Sequence, residues 1–297
     1  MLTRIQSVFE KLRRIWTSDL ILRHKFLYLI EELAIRLGPG FSGGVRTFIL
    51  SDGCVVHLRN DSTDRKVFDE VFLERIYDGF AEQLSASRSP AVLVDLGANI
   101  GLSAIALARK LNLSHVVAVE PDRENYRVLS SNLDQFGQGA DNRRPTCRAI
   151  QAFAGAERGF AQVVDSGNGA WGLRMGTTAV SAHHSNSVQV LPLNDLVPPS
   201  APGTKTIVKC DIEGAESGLF RRILHWDHAV DFMILELHTE FFTAHQLRAS
   251  LEQSHYHWQI HGELSDDALL AVVGLERRCT RATTVVNDLK SLAQSHS

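Results

Sequence analysis

Two periods of apolar residues alternate along this chain, and where the period changes the elements change. Ile5, Val8, Phe9, Leu12, Ile15 and Trp16 recur three and four apart, the spacing of one helix face. Arg4, Lys11, Arg13 and Arg14 lie largely off that face. A second apolar helix is predicted from about Leu20 to Leu37, broken by Gly38-Pro39-Gly40. Thr47-Phe48-Ile49-Leu50 and Cys54-Val55-Val56-His57-Leu58 then flank Ser51-Asp52-Gly53, a hairpin signal. Ser62, Thr63 or Asp64 can cap the next helix, which turns Val67, Phe68, Val71, Phe72 and Ile76 to one side. Ser85 to Pro90 reads as a linker.

From Ala91 onward short apolar runs alternate with helical patterns. Strands are predicted at 91–96, 116–120, 146–151, 205–211 and 232–237, and helices at 102–111, 123–135, 215–224 and 241–253. Such alternation argues a doubly wound α/β fold, a parallel sheet covered on both faces. Trp258-Gln259-Ile260-His261 and Leu269-Leu270-Ala271-Val272-Val273 read as two further strands, an antiparallel pair at one sheet edge. Ser166 to Ser187 is polar and long for a plain connection, so it is read as an acceptor-binding loop or a surface loop. Residues 281–297 read as a helix and a tail. The organisation expected is an N-terminal helical extension (1–44), a hairpin and helix (45–89), the main domain (90–278) and a C-terminal helix or tail (279–297).

Composition narrows the class. With 297 residues, 44% hydrophobic and 22% charged, the chain can bury a large core as a globular protein. A net charge of −3 gives no basic excess for a nucleic-acid backbone. Cys54, Cys147, Cys210 and Cys279 are far apart and form no CxxC pair, which fits reduced cysteines and a cytoplasmic protein. No apolar stretch is long enough to span a bilayer. The basic N-terminal helix can lie on a membrane, but docking on its own domain or on a second subunit, as in a homodimer, is the commoner fate.

The chemistry concentrates at Val92-Leu93-Val94-Asp95-Leu96-Gly97-Ala98-Asn99-Ile100-Gly101, a strand that ends on an acid and turns on glycine into a helix. A pyrophosphate crevice keeps negative charge away from such a turn. The dinucleotide pattern G-x-G-x-x-G is not met, because Asn99 stands at the second glycine's place and Gly101 comes one position before the third. Asp95 favours a cationic nucleotide such as S-adenosylmethionine. The next strand, Val116 to Glu120, ends in another carboxylate, suited to accept hydrogen bonds from ribose hydroxyls. An ordinary βα turn explains one acidic strand tip; it explains two flanking one helix less well.

Two further motifs are Lys209-Cys210-Asp211-Ile212-Glu213-Gly214-Ala215-Glu216 and Glu236-Leu237-His238. With the Asp95–Gly101 turn and Val119-Glu120-Pro121 they resemble the FkbM family of S-adenosylmethionine-dependent methyltransferases, over roughly residues 45 to 275. The resemblance implies a Rossmann-like, mostly parallel seven-stranded sheet with an antiparallel edge strand. It implies that Asp95, Gly97, Asn99 and Gly101 line the methionine end of the cofactor, that Glu120 holds the ribose, and that Asp211, Glu213 and His238 face the transfer site. Members often carry a Leu-Asp pair before the D-x-E-G-x-E strand; here Leu193-Asn194-Asp195-Leu196 puts an amide there, so no role is carried over to it.

Methyl transfer from a sulfonium is an in-line displacement in which alignment does most of the work. A hydroxyl acceptor must also lose a proton, and Asp211 and His238 lead as base candidates, with Glu213 beside them. The carboxylates Asp211, Glu213 and Glu216 are of the type a divalent cation takes, but no second cluster in the sequence completes a site, so no metal is assigned. The function expected is O-methyl transfer from S-adenosylmethionine to a small molecule or glycan, with no nucleic-acid partner. The alternative is a module that binds the cofactor without transferring the methyl group.

Overall fold

A computed structural model describes residues 2–37, 43–85, 89–138, 144–165, 173–175, 186–223, 226, 230–238, 240–254, 256–261 and 270–277. Helices α1 (Leu2–Thr17) and α2 (Leu22–Leu37) lead to the hairpin β1 (Val45–Ile49) and β2 (Val55–Arg59). Helix α3 (Asp64–Phe68) runs into a π-helical turn, Asp69–Leu73, and α4 (Asp78–Ser85) follows. The alternating region comprises β3 (Ala91–Leu96), α5 (Leu102–Ala108), β4 (Leu113–Val119), α6 (Arg123–Gly137) and β5 (Thr146–Ile150). Four strands come next: β6 (Phe153–Gly155), β7 (Gly159–Asp165), β8 (Leu173–Met175) and β9 (Ser187–Pro192). The chain continues through α7 (Leu193–Leu196), β10 (Lys205–Cys210), α8 (Glu216–Arg221), β11 (Phe232–Glu236), α9 (Ala244–Glu252), β12 (Tyr256–His261) and β13 (Leu270–Arg277).

Five parallel strands in the order β11-β10-β3-β4-β5 form the centre of the main sheet. Side chains alternate between its faces, as the pleat requires. Leu93, Val116, Ala118, Ile207 and Ile234 join one core cluster, with α5 and α6. Val94, Leu96, Val117, Val208 and Leu235 join a second, with α8 and α9. The parallel, doubly covered sheet is therefore the one the alternation predicts. Beyond β11, strand β13 pairs antiparallel with β11, and β12 antiparallel with β13. The reversed strand is thus second from the edge and not the edge strand itself. The crossover through α9 sets β12 parallel to β11 one place away, and β13 returns into the gap.

A second, four-stranded sheet, β6-β9-β7-β8, lies between β5 and β10 in sequence and was not expected. Its strand β8 falls inside the stretch read as a loop; 166–172 and 176–185, with His183 and His184, lie outside the described residues. So do the Gly38-Pro39-Gly40 break, Cys279 and the expected helix and tail over 281–297.

The N-terminal helices share the main core. Ile15, Leu20 and Tyr28 are buried in one cluster with Phe48 and Leu50 of the hairpin and with Ile105 of α5. Phe9 and Trp16, from the same predicted apolar face, are exposed. Among the described residues no helix is long and apolar enough to cross a membrane. The hairpin is also tied to the sheet's ligand end. Asn132 accepts from His57 N at 2.7 Å and donates to Ile100 O at 2.8 Å, joining β2 to the turn after β3.

Candidate active site

Gly97 begins the turn at a φ of +74°, and a Cβ there would lie 1.7 Å from the backbone oxygen of Asp211. Only glycine permits both the left-handed conformation and that approach. Asn99 is left-handed as well, at φ +50°. Gly101, at φ +86°, precedes α5 and lies over Leu129. Asp95 is fully buried beneath this turn. Ser103 Oγ donates to its Oδ2 at 2.6 Å, and Lys209 Nζ stands 3.4 Å from its Oδ1. A cavity of about 390 Å³ opens above the turn; Gly97 and Asn99 line it, whereas Asp95 and Gly101 do not. Asp95 acts on the turn from below, through Ser103 and Lys209.

Glu120 follows β4 and lines the same cavity. Asn99 N donates to its Oε2 at 2.9 Å and Asp122 N to its Oε1 at 3.0 Å. Burial pushes its carboxyl up to about 8, although these N–H donors and Asn125 pull it down. Asn125 itself is held by Arg59 of the hairpin, whose Nη2 donates to Asn125 Oδ1 at 2.7 Å while the same guanidinium grips Asp64. The hairpin, outside the alternating fold, thereby braces the second strand tip.

Beyond β10 and β11 the remaining candidates converge. Glu213 adopts a left-handed φ of +52°, and Gly214 at +99° would strike the Phe241 ring with a Cβ. His238 Nε2 lies 3.7 Å from Asp211 Oδ1 and 3.5 Å from Glu213 Oε2, and its Nδ1 lies 2.7 Å from Glu216 Oε1. Burial works against charge on this ring, but Glu213, Glu216 and Asp211 outweigh it and raise its pKa to about 10. The imidazole is therefore protonated at neutral pH, and a carboxylate is better placed than His238 to take a proton.

Sequence reasoning missed two residues here. Lys209 is buried in β10; its Nζ donates to Gly97 O at 3.0 Å and pairs with Asp211 Oδ2 at 3.1 Å. Burial opposes its charge, but Asp211 and Asp95 hold its pKa well above the ordinary lysine value. Glu236, at the end of β11, lines the cavity, and burial with the nearby Asp211 charge raises it to about 7. Its signal was the strand-tip position in E-x-H.

The donor set suits an S-adenosylmethionine-type ligand. Asn99 Oδ1 is buried with no hydrogen-bond partner among the described residues, an acceptor fitted to an ammonium. Glu120 turns a carboxyl group to the same cavity, an acceptor of the kind a ribose requires.

No curated protein matches the chain. Among solved structures, methyltransferase FkbM from Methylobacillus flagellatus KT is 18% identical, with 62% of this chain and 43% of that chain covered and a TM-score of 0.39. Magnesium protoporphyrin IX methyltransferase from Synechocystis PCC 6803, with bound SAM, is 11% identical, with 69% and 79% covered and a TM-score of 0.41. The alignment thus spans less than half the length of the Methylobacillus protein, and at this similarity neither structure carries an argument about activity. The family assignment rests on a sequence match to the methyltransferase FkbM domain over residues 95–258. That match spans more than half of the chain and contains the glycine turn, both acidic strand tips and the Asp211–His238 cluster, so the chain belongs to the FkbM methyltransferase family.

Proposed function

We propose that the chain is an S-adenosylmethionine-dependent O-methyltransferase acting on a hydroxyl of a small molecule or glycan. One observation carries this reading: Gly97, Asn99, Glu120 and Asp211 open on a single cavity. The finer architecture accords with it, since β12 and β13 extend the five parallel strands to a seven-stranded sheet. The free Cys54, Cys147 and Cys210 accord with a cytoplasmic setting.

S-adenosylmethionine supplies, when bound, an electrophilic methyl group on a good neutral leaving group. The chain's residues orient it and the acceptor. Glu120 accepts from the ribose hydroxyls, Asn99 Oδ1 accepts from the amino-acid end, and Gly97 lets the turn close against the main chain of Asp211. Asp211 takes the acceptor's proton, with Glu236 near it as a second carboxylate. Glu213 and the His238 ring hold the strand tips together; with its proton in place His238 orients and does not act as the base.

The lining also bears on the acceptor. Glu70, Asp211, Glu213, Glu236 and Glu240 all face the cavity. Its two cationic lining residues, Lys209 and His238, are already engaged by carboxylates. That field favours a neutral, hydroxyl-rich acceptor and disfavours a phosphate or nucleic acid. Methyl-labelled S-adenosylmethionine, incubated with the chain and a panel of hydroxylated small molecules and glycans, tests the reading. The expected result is label in an ether linkage, with one demethylated cofactor released per methyl transferred. Cofactor binding with no transfer to any acceptor favours the module that only binds.

A further inference from the structure

We propose that Asp211, Glu213 and His238 form a binding site for a divalent first-row transition cation at the acceptor end of the cavity. One oxygen from each carboxylate and one ring nitrogen lie within 4.8 Å of one another. His238 Nε2 stands 3.5 Å from Glu213 Oε2 and 3.7 Å from Asp211 Oδ1, too long for good hydrogen bonds. They approach the spacing of neighbouring ligands around one metal, about 3.0–3.4 Å when each lies about 2.1 Å from it. The carboxylates that follow β10 looked incomplete in the sequence; the segment after β11 supplies the missing donor in His238.

Glu216 is an independent second observation. It is fully buried, and its Oε1 lies 2.7 Å from His238 Nδ1. Its Oε2 is buried with no hydrogen-bond partner among the described residues. With Nδ1–H donated to Glu216, release of the Nε2 proton to solvent as the cation binds would turn the Nε2 lone pair toward the two carboxylate oxygens. A buried carboxylate behind an imidazole is the outer-shell support that metal-bound histidines use. A carboxylate left partly unsatisfied in the interior also calls for more positive charge beside it.

An imidazole with two carboxylates suits Mn²⁺, Co²⁺ or Zn²⁺ better than Ca²⁺ or Mg²⁺, which take oxygen ligands. Three protein ligands leave positions open, and Asp211 and Glu213 keep 26% and 21% of their side chains exposed toward the cavity. An acceptor hydroxyl could enter such a position and lose its proton more readily there. That use rests on the methyltransferase reading; binding of the cation does not.

The test uses the full chain stripped with a chelator, without cofactor or acceptor. Mn²⁺ is titrated in, and the free-ion electron paramagnetic resonance signal is followed. The expected result is one Mn²⁺ bound per chain and displaced by Zn²⁺. Glu213→Gln and His238→Gln are each expected to weaken binding about tenfold or more. Asp195→Asn, whose carboxylate pairs with Arg158 away from the cavity, leaves it unchanged. Circular dichroism verifies the fold of each variant; if His238→Gln does not fold, Glu213→Gln and Asp211→Asn carry the comparison. No bound Mn²⁺ or Zn²⁺, or binding that all of these substitutions leave intact, overturns the site. Because no methyl donor is present, that failure is distinguishable from failure of the methyltransferase reading.

Discussion

Gly97 and Asp211 touch through their main chains: a Cβ on the first would lie 1.7 Å from the carbonyl oxygen of the second. The contact is closed by Asp211 N donating to Leu96 O at 3.1 Å and by Lys209 Nζ donating to Gly97 O at 3.0 Å. The turn assigned to the cofactor and the strand tip assigned to the base are therefore one rigid unit. Gly97→Ala cannot keep both the positive φ and this approach. It is predicted to cost roughly 2–4 kcal/mol of stability and to abolish cofactor binding, read by thermal unfolding and calorimetry. A variant that binds normally would show that the two tips move independently.

Lys209 neutralises two carboxylates at once, Asp95 at 3.4 Å and Asp211 at 3.1 Å. Lys209→Met leaves Asp95 buried without its cation and is predicted to cost about 3–5 kcal/mol in urea unfolding. Adding Asp95→Asn removes the stranded charge, so the double variant is predicted to recover part of that loss.

Glu120 gives a pH signature. Its native carboxyl is raised by burial to about 8, from 4.5 when exposed. Between those values the folded chain binds more protons at this site than the unfolded chain. The stability linked to Glu120 is thus full below about pH 4.5 and is lost as pH rises through about 8. Glu120→Gln removes this contribution, so its stability is predicted to fall less than the wild type's between about pH 6 and pH 9. Cofactor affinity, if it needs the ionised carboxylate, rises through the same range in the wild type and stays flat and weak in the variant. Parallel profiles in both proteins would remove Glu120 from the cofactor site.

Asp211→Asn separates chemistry from binding. It keeps the shape of the strand tip but cannot accept a proton. Turnover is predicted to fall by about 10²–10⁴-fold with cofactor affinity nearly unchanged. A loss confined to cofactor affinity would move Asp211 from the transfer site to the binding site.

The parallel core was legible because its strands are continuous apolar runs that end on Asp95, Glu120 and Asp211, with helical periods between them. Helix α9 was legible too, and Thr243 and Gln246 cap it with a reciprocal pair of bonds. The second sheet was not, since β6 and β8 are three residues each and β6 and β7 carry glycines that read as loop. Lys209 was missed for a different reason. A lysine in an apolar run reads as a residue that reaches for solvent, and nothing local shows its ammonium lying between Asp95 and Asp211. The same distance in sequence hid Glu216 behind His238 and Arg59 behind Asn125. Alternation places a side chain on a face; it does not say which distant charge meets it there.

The most direct test of the account is calorimetric titration of the folded chain with S-adenosylmethionine, with a chelator present and NAD as the control. The account predicts one S-adenosylmethionine bound per chain and no binding of NAD. Folded protein that takes up NAD, or that gives no heat with S-adenosylmethionine, would contradict it.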